Sequence, residues 1–313
     1  MPGGPSDGRP GEYRTAGGSQ PIVSTLVPGY RIGRQIATGA GSRIYHGTRV
    51  ADRLPVAIKR VERNSADDER FLMQLDTEYE VTSKLDHPAL RKSYLLHRVR
   101  KLLAVKEAFL VMDFVDGLPL EKARPNRLVT FLSVARTVAA GLHALHEAGW
   151  VHSDIKPSNI MIARGLSVKI IDFGQTCAMG AKKERIQGTP DYIAPEQVRR
   201  RPLDRRTDVF NLGATMYWLL TSRSFPTLLA DSAGRGEALV DSAPPVAPID
   251  LNDKIPRPLS NLVMECCREN PADRPADMRR LSDRLEVIQK GWMKEREGIR
   301  ARLQLTDSSE APS

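Results

Sequence analysis

The apolar residues of this chain follow two different periods, one in each part of the sequence. Between Tyr30 and Val115 they mostly alternate with polar residues in short runs, which is the period of half-buried strands. One run in this part, residues 69–88, has the spacing of a helix and stops at a proline. The pattern predicts an antiparallel meander with one helix, and its strands are expected at 30–37, 43–50, 54–61, 93–101 and 107–115.

Beyond Gly117 the apolar residues recur every three or four positions, so the second part is predicted to be mainly helical. Helices are expected at 128–148, 209–222 and 259–289, and a loop containing Pro and Gly is expected at 223–258. A β-rich part followed by an α-rich part predicts an α+β fold, with two lobes and a cleft between them.

The two ends of the chain lack this patterning. Residues 1–28 are rich in Gly and Pro and are predicted to be disordered, because they offer too little apolar surface to offset the entropy lost on ordering. The first lobe is placed at 29–115 and the second at 116–290. The remaining charged tail, 291–313, is expected to extend the last helix or to bind a regulatory protein through apolar contacts such as Trp292.

Composition narrows the class of protein only slightly. The net charge of +9 suits a phosphate-bearing ligand, an acidic peptide or nucleic acid. The three cysteines lack a zinc-binding spacing, which favours free thiols in a reducing compartment. The best apolar run considered as a membrane span, 108–115, is short and contains Asp113, and the N-terminus lacks a signal-peptide pattern. These observations predict a cytoplasmic protein that does not contact a membrane.

Side chains suited to phosphate chemistry are concentrated in two short segments. Asp154, Lys156 and Asn159 offer a base, a phosphate contact and a metal ligand on one loop. Asp172 directly follows an apolar strand-like run, and a carboxylate there suits a hard cation. Phosphoryl transfer needs metal ligands, neutralisation of phosphate charge and a carboxylate that orients the attacking hydroxyl. Each need has a candidate here.

The segments around these residues are VHSDIKPSN from Val151, IIDFG ending at Gly174, and GTPDYIAPE ending at Glu196. Together with VAIK, which ends at Lys59, they resemble the motifs of the eukaryotic-like serine/threonine protein kinase family. The resemblance implies a bilobal kinase fold, ATP and Mg²⁺ as cofactors, and a protein substrate with a Ser or Thr acceptor. It makes nucleic acid an unexpected partner, and it leaves the oligomeric state open.

The resemblance also implies roles for individual residues. Asp154 would orient the substrate hydroxyl, and Lys156 would stabilise charge at the γ-phosphate. Lys59, paired with Glu78, would hold the α- and β-phosphates. Thr189 matches a threonine that bonds the catalytic aspartate and lysine.

The metal ligands and the nucleotide pocket follow from the same resemblance. Asn159 and Asp172 match the two Mg²⁺ ligands. The pocket is expected to combine a glycine-rich turn, an apolar sandwich around adenine and the hinge backbone, formed by Ala37, Thr38, Gly39, Ala40, Gly41, Ser42, Ile44, Ala57, Lys59, Met112, Asp113, Val115 and Met161.

Two further matches concern how the second lobe is held together. Asp208 resembles the aspartate that anchors the catalytic loop from a buried helix. Arg274 resembles the arginine that pairs with the glutamate of the APE motif, here Glu196.

The chain departs from the family pattern in its glycine-rich turn and next to its catalytic aspartate. Ala37 and Ser42 stand where the first and third glycines belong, so weaker nucleotide binding is expected. Ser153 replaces an arginine that normally receives an activation-loop phosphate. The segment 175–188 contains a single hydroxyl residue, Thr176. We therefore predict activity that does not depend on phosphorylation of this loop.

A third departure is Thr82, at a position that is usually apolar in the family. Its hydroxyl is expected to weaken packing unless it finds a partner, which would make the active arrangement conditional. These departures support an alternative function, a pseudokinase that binds nucleotide and acts as a scaffold. A small-molecule kinase on the same scaffold is a third interpretation, against which the complete protein-kinase motifs of the second part argue.

Overall fold

The computed structural model describes residues 26–39, 41–102, 104–229 and 245–309, and these form two lobes. The N-lobe is an antiparallel sheet in the order β1-β2-β3-β5-β4. One helix, α1, Glu69–Lys84, packs on this sheet. The strands are β1 Tyr30–Gly39, β2 Ser42–Arg49, β3 Pro55–Glu62, β4 Ser93–Lys101 and β5 Ala104–Asp113.

The sheet carries apolar side chains on both faces, and its inner strands β3 and β5 are buried at 56–58, at Val61 and at 108–112. One face gathers side chains such as Val56, Ile58 and Phe109, and the other packs against α1 through Leu75 and Leu110. The run 108–112 of β5 is continuously apolar, as expected for a strand buried on both faces, whereas Lys59 and Arg60 interrupt the apolar run of β3. The strand positions expected from the sequence are all occupied by strands.

The C-lobe is mainly helical and contains the largest hydrophobic core. Its helices are α2 Leu128–Glu147, α3 Pro195–Val198, α4 Arg205–Thr221, α5 Pro248–Leu251, α6 Arg257–Cys266 and α7 Met278–Ser309. Its short strands are β6 Gly117–Pro119, β7 Trp150–Val151, β8 Ile160–Ala163, β9 Val168–Ile170 and β10 Cys177–Ala178. The strands β6, β8 and β9 form a small sheet in the order β6-β8-β9, and the segment 152–159 lies between β7 and β8.

Several helix boundaries differ from the sequence prediction for local reasons. Helix α4 begins at Arg205 rather than 209 because the side chain of Asp204 accepts a hydrogen bond from the backbone N–H of Arg206. The helix expected at 259–289 is two helices, α6 and α7. Prolines 271 and 275 interrupt the helical ladder between them.

The predicted ends of the domain fall partly outside the described residues. Residues 1–25, expected to be disordered, lie outside, as do 230–244 of the predicted loop and 310–313 of the tail. Val27, within the segment expected to be disordered, is 1% exposed and packs on the N-lobe core. The tail extends the last helix, since α7 continues without a break across the predicted boundary at 290.

Helix α2 is long and apolar enough to cross a membrane by length and composition, which the sequence reading overlooked. It is the central helix of the C-lobe core. Phe131, Leu132, Val138, Leu142 and Leu145 are each at most 3% exposed and belong to that core. Its apolar character is therefore accounted for by packing within the lobe.

Candidate active site

The catalytic segment between β7 and β8 brings Asp154, Lys156 and Asn159 together at the cleft. The Asn159 side-chain amide donates to the carbonyl oxygen of Asp154 at 2.9 Å, which closes the loop on itself. Lys156 Nζ lies 3.0 Å from Asp154 Oδ2. Thr189 Oγ1 donates to Asp154 Oδ1 at 2.8 Å and accepts from Lys156 Nζ at 2.6 Å, as expected from the sequence.

Asp208 anchors this segment from α4. Its carboxylate is completely buried and accepts the backbone N–H groups of His152 and Ser153 at 2.8 and 2.7 Å. His146 Nε2 lies 2.8 Å from the same carboxylate. Burial would raise the pKa of Asp208, but the hydrogen bond and charge of His146 outweigh this effect and lower it. Ser153 adopts a left-handed backbone with φ of 58° inside this clamp.

On the opposite side of the cleft, Lys59 joins the N-lobe helix to the metal-ligand candidate. Its ammonium group lies 2.8 Å from Glu78 Oε2 and 3.3 Å from Asp172 Oδ1. Lys59 projects from β3 and Glu78 from α1, so the pair also joins the sheet to its helix. The sequence placed these residues in one site, and the fold brings them into contact.

Lys59 and Asp172 are both charged at neutral pH. Burial alone would lower the pKa of Lys59, but the carboxylates of Asp172 and Glu78 outweigh it and hold the pKa above its ordinary value. Burial would likewise raise the pKa of Asp172. The Lys59 ammonium and the backbone N–H of Gly174 outweigh that effect and hold it well below its usual range.

Most of the residues expected to hold the nucleotide line one cleft of about 1110 Å³ between the lobes. Asp113 lines this cleft, and its carboxylate accepts hydrogen bonds from Lys169 Nζ at 3.1 Å and from the Tyr94 hydroxyl. Gly41 instead packs near the ring of Phe71 on α1. Ala40 lies outside the described residues. The other predicted residues line the cleft, namely Ala37, Thr38, Gly39, Ser42, Ile44, Ala57, Lys59, Met112, Asp113, Val115 and Met161.

The donor set at Asn159 and Asp172 fits a magnesium ion that is shared with phosphates. The nitrogen of the Asn159 amide is used by Asp154, which leaves the amide oxygen as the end able to ligate a cation. Within the described residues no group of three or more His, Cys, Asp or Glu side chains is gathered. Mg²⁺ is commonly held by one or two protein oxygens together with substrate phosphates and water, so this small set is sufficient.

Two cations at the site, one buried and one partly buried, were not predicted from the sequence. Arg91 is 2% exposed and donates to Glu78 Oε1 at 2.5 Å. Lys183, in the segment that follows Gly174, donates to Ser153 Oγ at 2.8 Å. The only signal for Arg91 was a charged residue directly after the apolar pair Ala89 and Leu90, before a predicted strand.

The α+β lobes and the charged cleft between them are the architecture of a protein kinase. Residues 30–292 match the protein kinase domain family. The serine/threonine-protein kinase PknL of Mycobacterium tuberculosis is 34% identical over 284 residues, which cover 87% of this chain and 69% of PknL. PknB of Mycolicibacterium smegmatis is 27% identical over 258 residues, covering 78% of this chain and 40% of PknB. The chain belongs to the protein kinase domain family.

A solved structure shows the same fold. The kinase domain of Mycobacterium tuberculosis PknI, solved as a double mutant, has a TM-score of 0.66 to this chain at 20% sequence identity. The match covers 86% of this chain and 99% of that domain. The expectation of a bilobal α+β kinase fold and of membership in the serine/threonine kinase family is therefore confirmed.

Proposed function

We propose that this chain is an active serine/threonine protein kinase that transfers the γ-phosphoryl group of ATP to a protein hydroxyl. The observation that carries the proposal is the convergence on one cleft of two charged groups. Lys59, Glu78 and Asp172 meet on one side, and Asp154 with Lys156 meets on the other. Among the three interpretations, this one uses every charged residue that the chemistry needs.

In the proposed reaction the substrate hydroxyl is oriented by Asp154, which takes up its proton as the new O–Pγ bond forms. The bond from Pγ to the β-phosphate oxygen breaks, and ADP leaves. Lys156 balances negative charge on the transferred group. Thr189 supports a Ser or Thr acceptor, because it fixes both Asp154 and Lys156 where the acceptor side chain would enter.

ATP and a divalent cation are the cofactors, and we propose Mg²⁺ as that cation. Asn159 and Asp172 would hold it, and bound there it would neutralise the phosphates of the nucleotide. Lys59 would contact the α- and β-phosphates and is kept charged and oriented by Glu78. We also propose a cytoplasmic location, which the free thiols of Cys177, Cys266 and Cys267 support.

The test of activity compares the purified chain with its Asp154→Asn variant. Each is incubated with labelled ATP, Mg²⁺ and a generic basic protein, and phosphoamino acids are then separated. We expect label on serine or threonine that depends on Asp154. Equal label in both samples would favour a pseudokinase that acts as a scaffold. Label on a small molecule alone would favour a small-molecule kinase.

We further propose that activity does not depend on phosphorylation of the activation segment, residues 175–188. Thr176 is 6% exposed, so its hydroxyl is inaccessible to another kinase in this arrangement. The Lys183 ammonium donates to Ser153 Oγ at 2.8 Å and to the Gln175 carbonyl oxygen at 2.5 Å. The contact between Lys183 and Ser153 fastens the segment to the loop that carries Asp154 without a phosphate.

The test of this second proposal is the Thr176→Ala variant, purified after phosphatase treatment and checked by mass spectrometry. We expect a kcat within about twofold of the untreated parent protein, since no charge-assisted contact is lost. A collapse of turnover in the variant or after phosphatase treatment would contradict the proposal.

A further inference from the structure

We propose that Arg91 is a positioning residue, a buried cation that holds Glu78 and the segment before Phe173 in the arrangement that phosphoryl transfer needs. This inference rests on the proposed kinase activity and deepens it. Arg91 lies in the connection between α1 and β4 and is 2% exposed. Arginine is rarely buried this completely unless its charge is paired, so its partners indicate what it does.

The first partner is Glu78, whose two carboxylate oxygens each receive a different cation. Lys59 Nζ lies 2.8 Å from Oε2, and Arg91 Nη2 lies 2.5 Å from Oε1. Lys59 is shared with Asp172 and would also contact the nucleotide phosphates. Of the two cations that pair with Glu78, Arg91 is therefore the one that is not also drawn to Asp172 and the nucleotide phosphates.

The second partner is the backbone that leads to Asp172. Arg91 Nε donates to the carbonyl oxygen of Ile171 at 2.7 Å, and the Arg91 backbone N–H donates to that of Ile170 at 3.0 Å. The guanidinium carbon also lies 5.7 Å from the centre of the Phe173 ring. One side chain thus connects α1 of the N-lobe to the metal-ligand segment of the C-lobe.

The third contact accounts for the unusual threonine at position 82. Arg91 Nη1 donates to Ser93 Oγ at 3.0 Å, and Ser93 Oγ lies 2.6 Å from Thr82 Oγ1. Thr82 Oγ1 is also 2.6 Å from the carbonyl oxygen of Glu78. The hydroxyl that was expected to weaken packing therefore has partners, and it belongs to a hydrogen-bond network around Arg91.

Loss of the guanidinium would leave one oxygen of a buried carboxylate without its charged partner. A buried charge without its partner is costly, and the cost is relieved if α1 moves so that Glu78 reaches water. Such a movement would separate Glu78 from Lys59. The fraction of molecules in the active arrangement would then fall, although the cleft could still accept nucleotide.

The experiment compares Arg91→Gln and Arg91→Lys with a matched control, Arg98→Gln. Arg98 of β4 pairs with Asp76 of α1 at 2.6 Å, but both side chains are exposed, and positions 76 and 78 lie on different faces of the helix. Nucleotide-binding sites are titrated with a fluorescent ATP analogue, so that kcat is expressed per competent site. Hydrogen exchange of the α1 amides is measured on the same proteins.

For Arg91→Gln we expect kcat per site to fall by about tenfold or more, with a smaller change in the KM for ATP and faster exchange along α1. For Arg91→Lys we expect a kcat per site between that of Arg91→Gln and that of the parent. Lysine keeps the positive charge but lacks the planar guanidinium that can donate to several acceptors at once. Arg98→Gln should keep its kcat within about twofold. If Arg91→Gln does not fold, Arg91→Lys is compared alone with the control.

Unchanged kcat per site and unchanged α1 exchange would overturn the inference, even if the variants melt at lower temperature, because that result is what a merely structural role predicts. Failure of the proposed function is distinguishable. The parent protein would then be inactive, as Asp154→Asn is, while the exchange of α1 would still report on Arg91.

Discussion

The ammonium group of Lys183 lies 2.8 Å from the hydroxyl oxygen of Ser153 and thereby ties the activation segment to the catalytic loop. Ser153 in turn donates to the Gln175 carbonyl oxygen at 2.7 Å. The family pattern has an arginine at the position of Ser153 and recruits a phosphate to it from the activation segment. Here the positive charge comes from the segment itself, so the contact is complete within the unmodified chain.

This tether predicts a specific loss of turnover in Lys183→Met. Removal of the ammonium leaves Ser153 and Gln175 without their charged donor, which is worth about 1–2 kcal/mol for a partly buried contact. We expect kcat to fall by about fivefold to tenfold, measured as phosphate transfer at saturating ATP. The neighbouring exposed residue gives the control, since Lys182→Met should leave kcat unchanged. Equal effects of the two variants would argue against the tether.

The same contact predicts a pH dependence. Burial lowers the pKa of Lys183 below its ordinary value, although Cys177, Asp154 and Asp208 oppose this effect. As the pH rises through the lowered pKa, the tether loses its charge, and activity should decline below the pH at which an ordinary lysine titrates. Deprotonation favours the folded state, because the pKa is lower there than in the unfolded chain, so this decline should not be accompanied by unfolding.

The check is the alkaline limb of the kcat profile for the parent and for Lys183→Arg. An arginine stays charged throughout this range, so the limb should move to higher pH in the variant. Circular dichroism at each pH monitors the fold. If the alkaline limb of Lys183→Arg lies at the same pH as that of the parent, another group titrates there. Cys177 is one such group, since burial raises its pKa.

The buried ion pair between Glu196 and Arg274 predicts a large effect on stability. The pair is bidentate, at 2.7 and 2.8 Å, and both residues are at most 5% exposed. Arg274→Met would leave Glu196 charged and unpaired, and we expect the free energy of unfolding in urea to fall by about 3–5 kcal/mol. Arg284 forms a bidentate pair with Glu265, but this pair is partly exposed. Arg284→Met should therefore lower the free energy of unfolding by less than about 1 kcal/mol. Similar costs for both variants would contradict this reasoning.

The sequence predicts those parts of this kinase in which residues of one motif also contact one another in the fold. The loop at Asp154 and Asn159 closes through a hydrogen bond between residues that are neighbours in the chain, so their spacing predicts it. The strands of the N-lobe sheet could be predicted because short runs of apolar residues that alternate with polar ones are typical of strands.

The contacts of Arg91 and Lys183 could not be predicted in the same way. Arg91 meets Ile171 across 80 positions, and Lys183 meets Ser153 across 30. A basic residue is most often exposed, so composition and periodicity favour the surface for both. Only the packed fold determines which polar groups face them. The partners of Thr82 were hidden for the same reason, since Ser93 reaches it from a neighbouring element.

The glycine-rich turn gives the last prediction, because Gly41 is fixed by its surroundings as well as by its backbone. Its φ is +68°, and a Cβ there would lie 2.4 Å from the ring of Phe71. Gly29 has a similar φ of +79° but open space around it, so Gly29→Ala should cost about 1–2 kcal/mol of stability and leave nucleotide binding unchanged. Gly41→Ala must in addition displace either Phe71 on α1 or the turn itself. The turn lies next to the cleft-lining residues Gly39 and Ser42, so we expect the KM for ATP to rise by about fivefold or more, as measured by initial rates. A KM that changes equally in both variants would mean that backbone strain alone, rather than the contact with Phe71, sets the position of the turn.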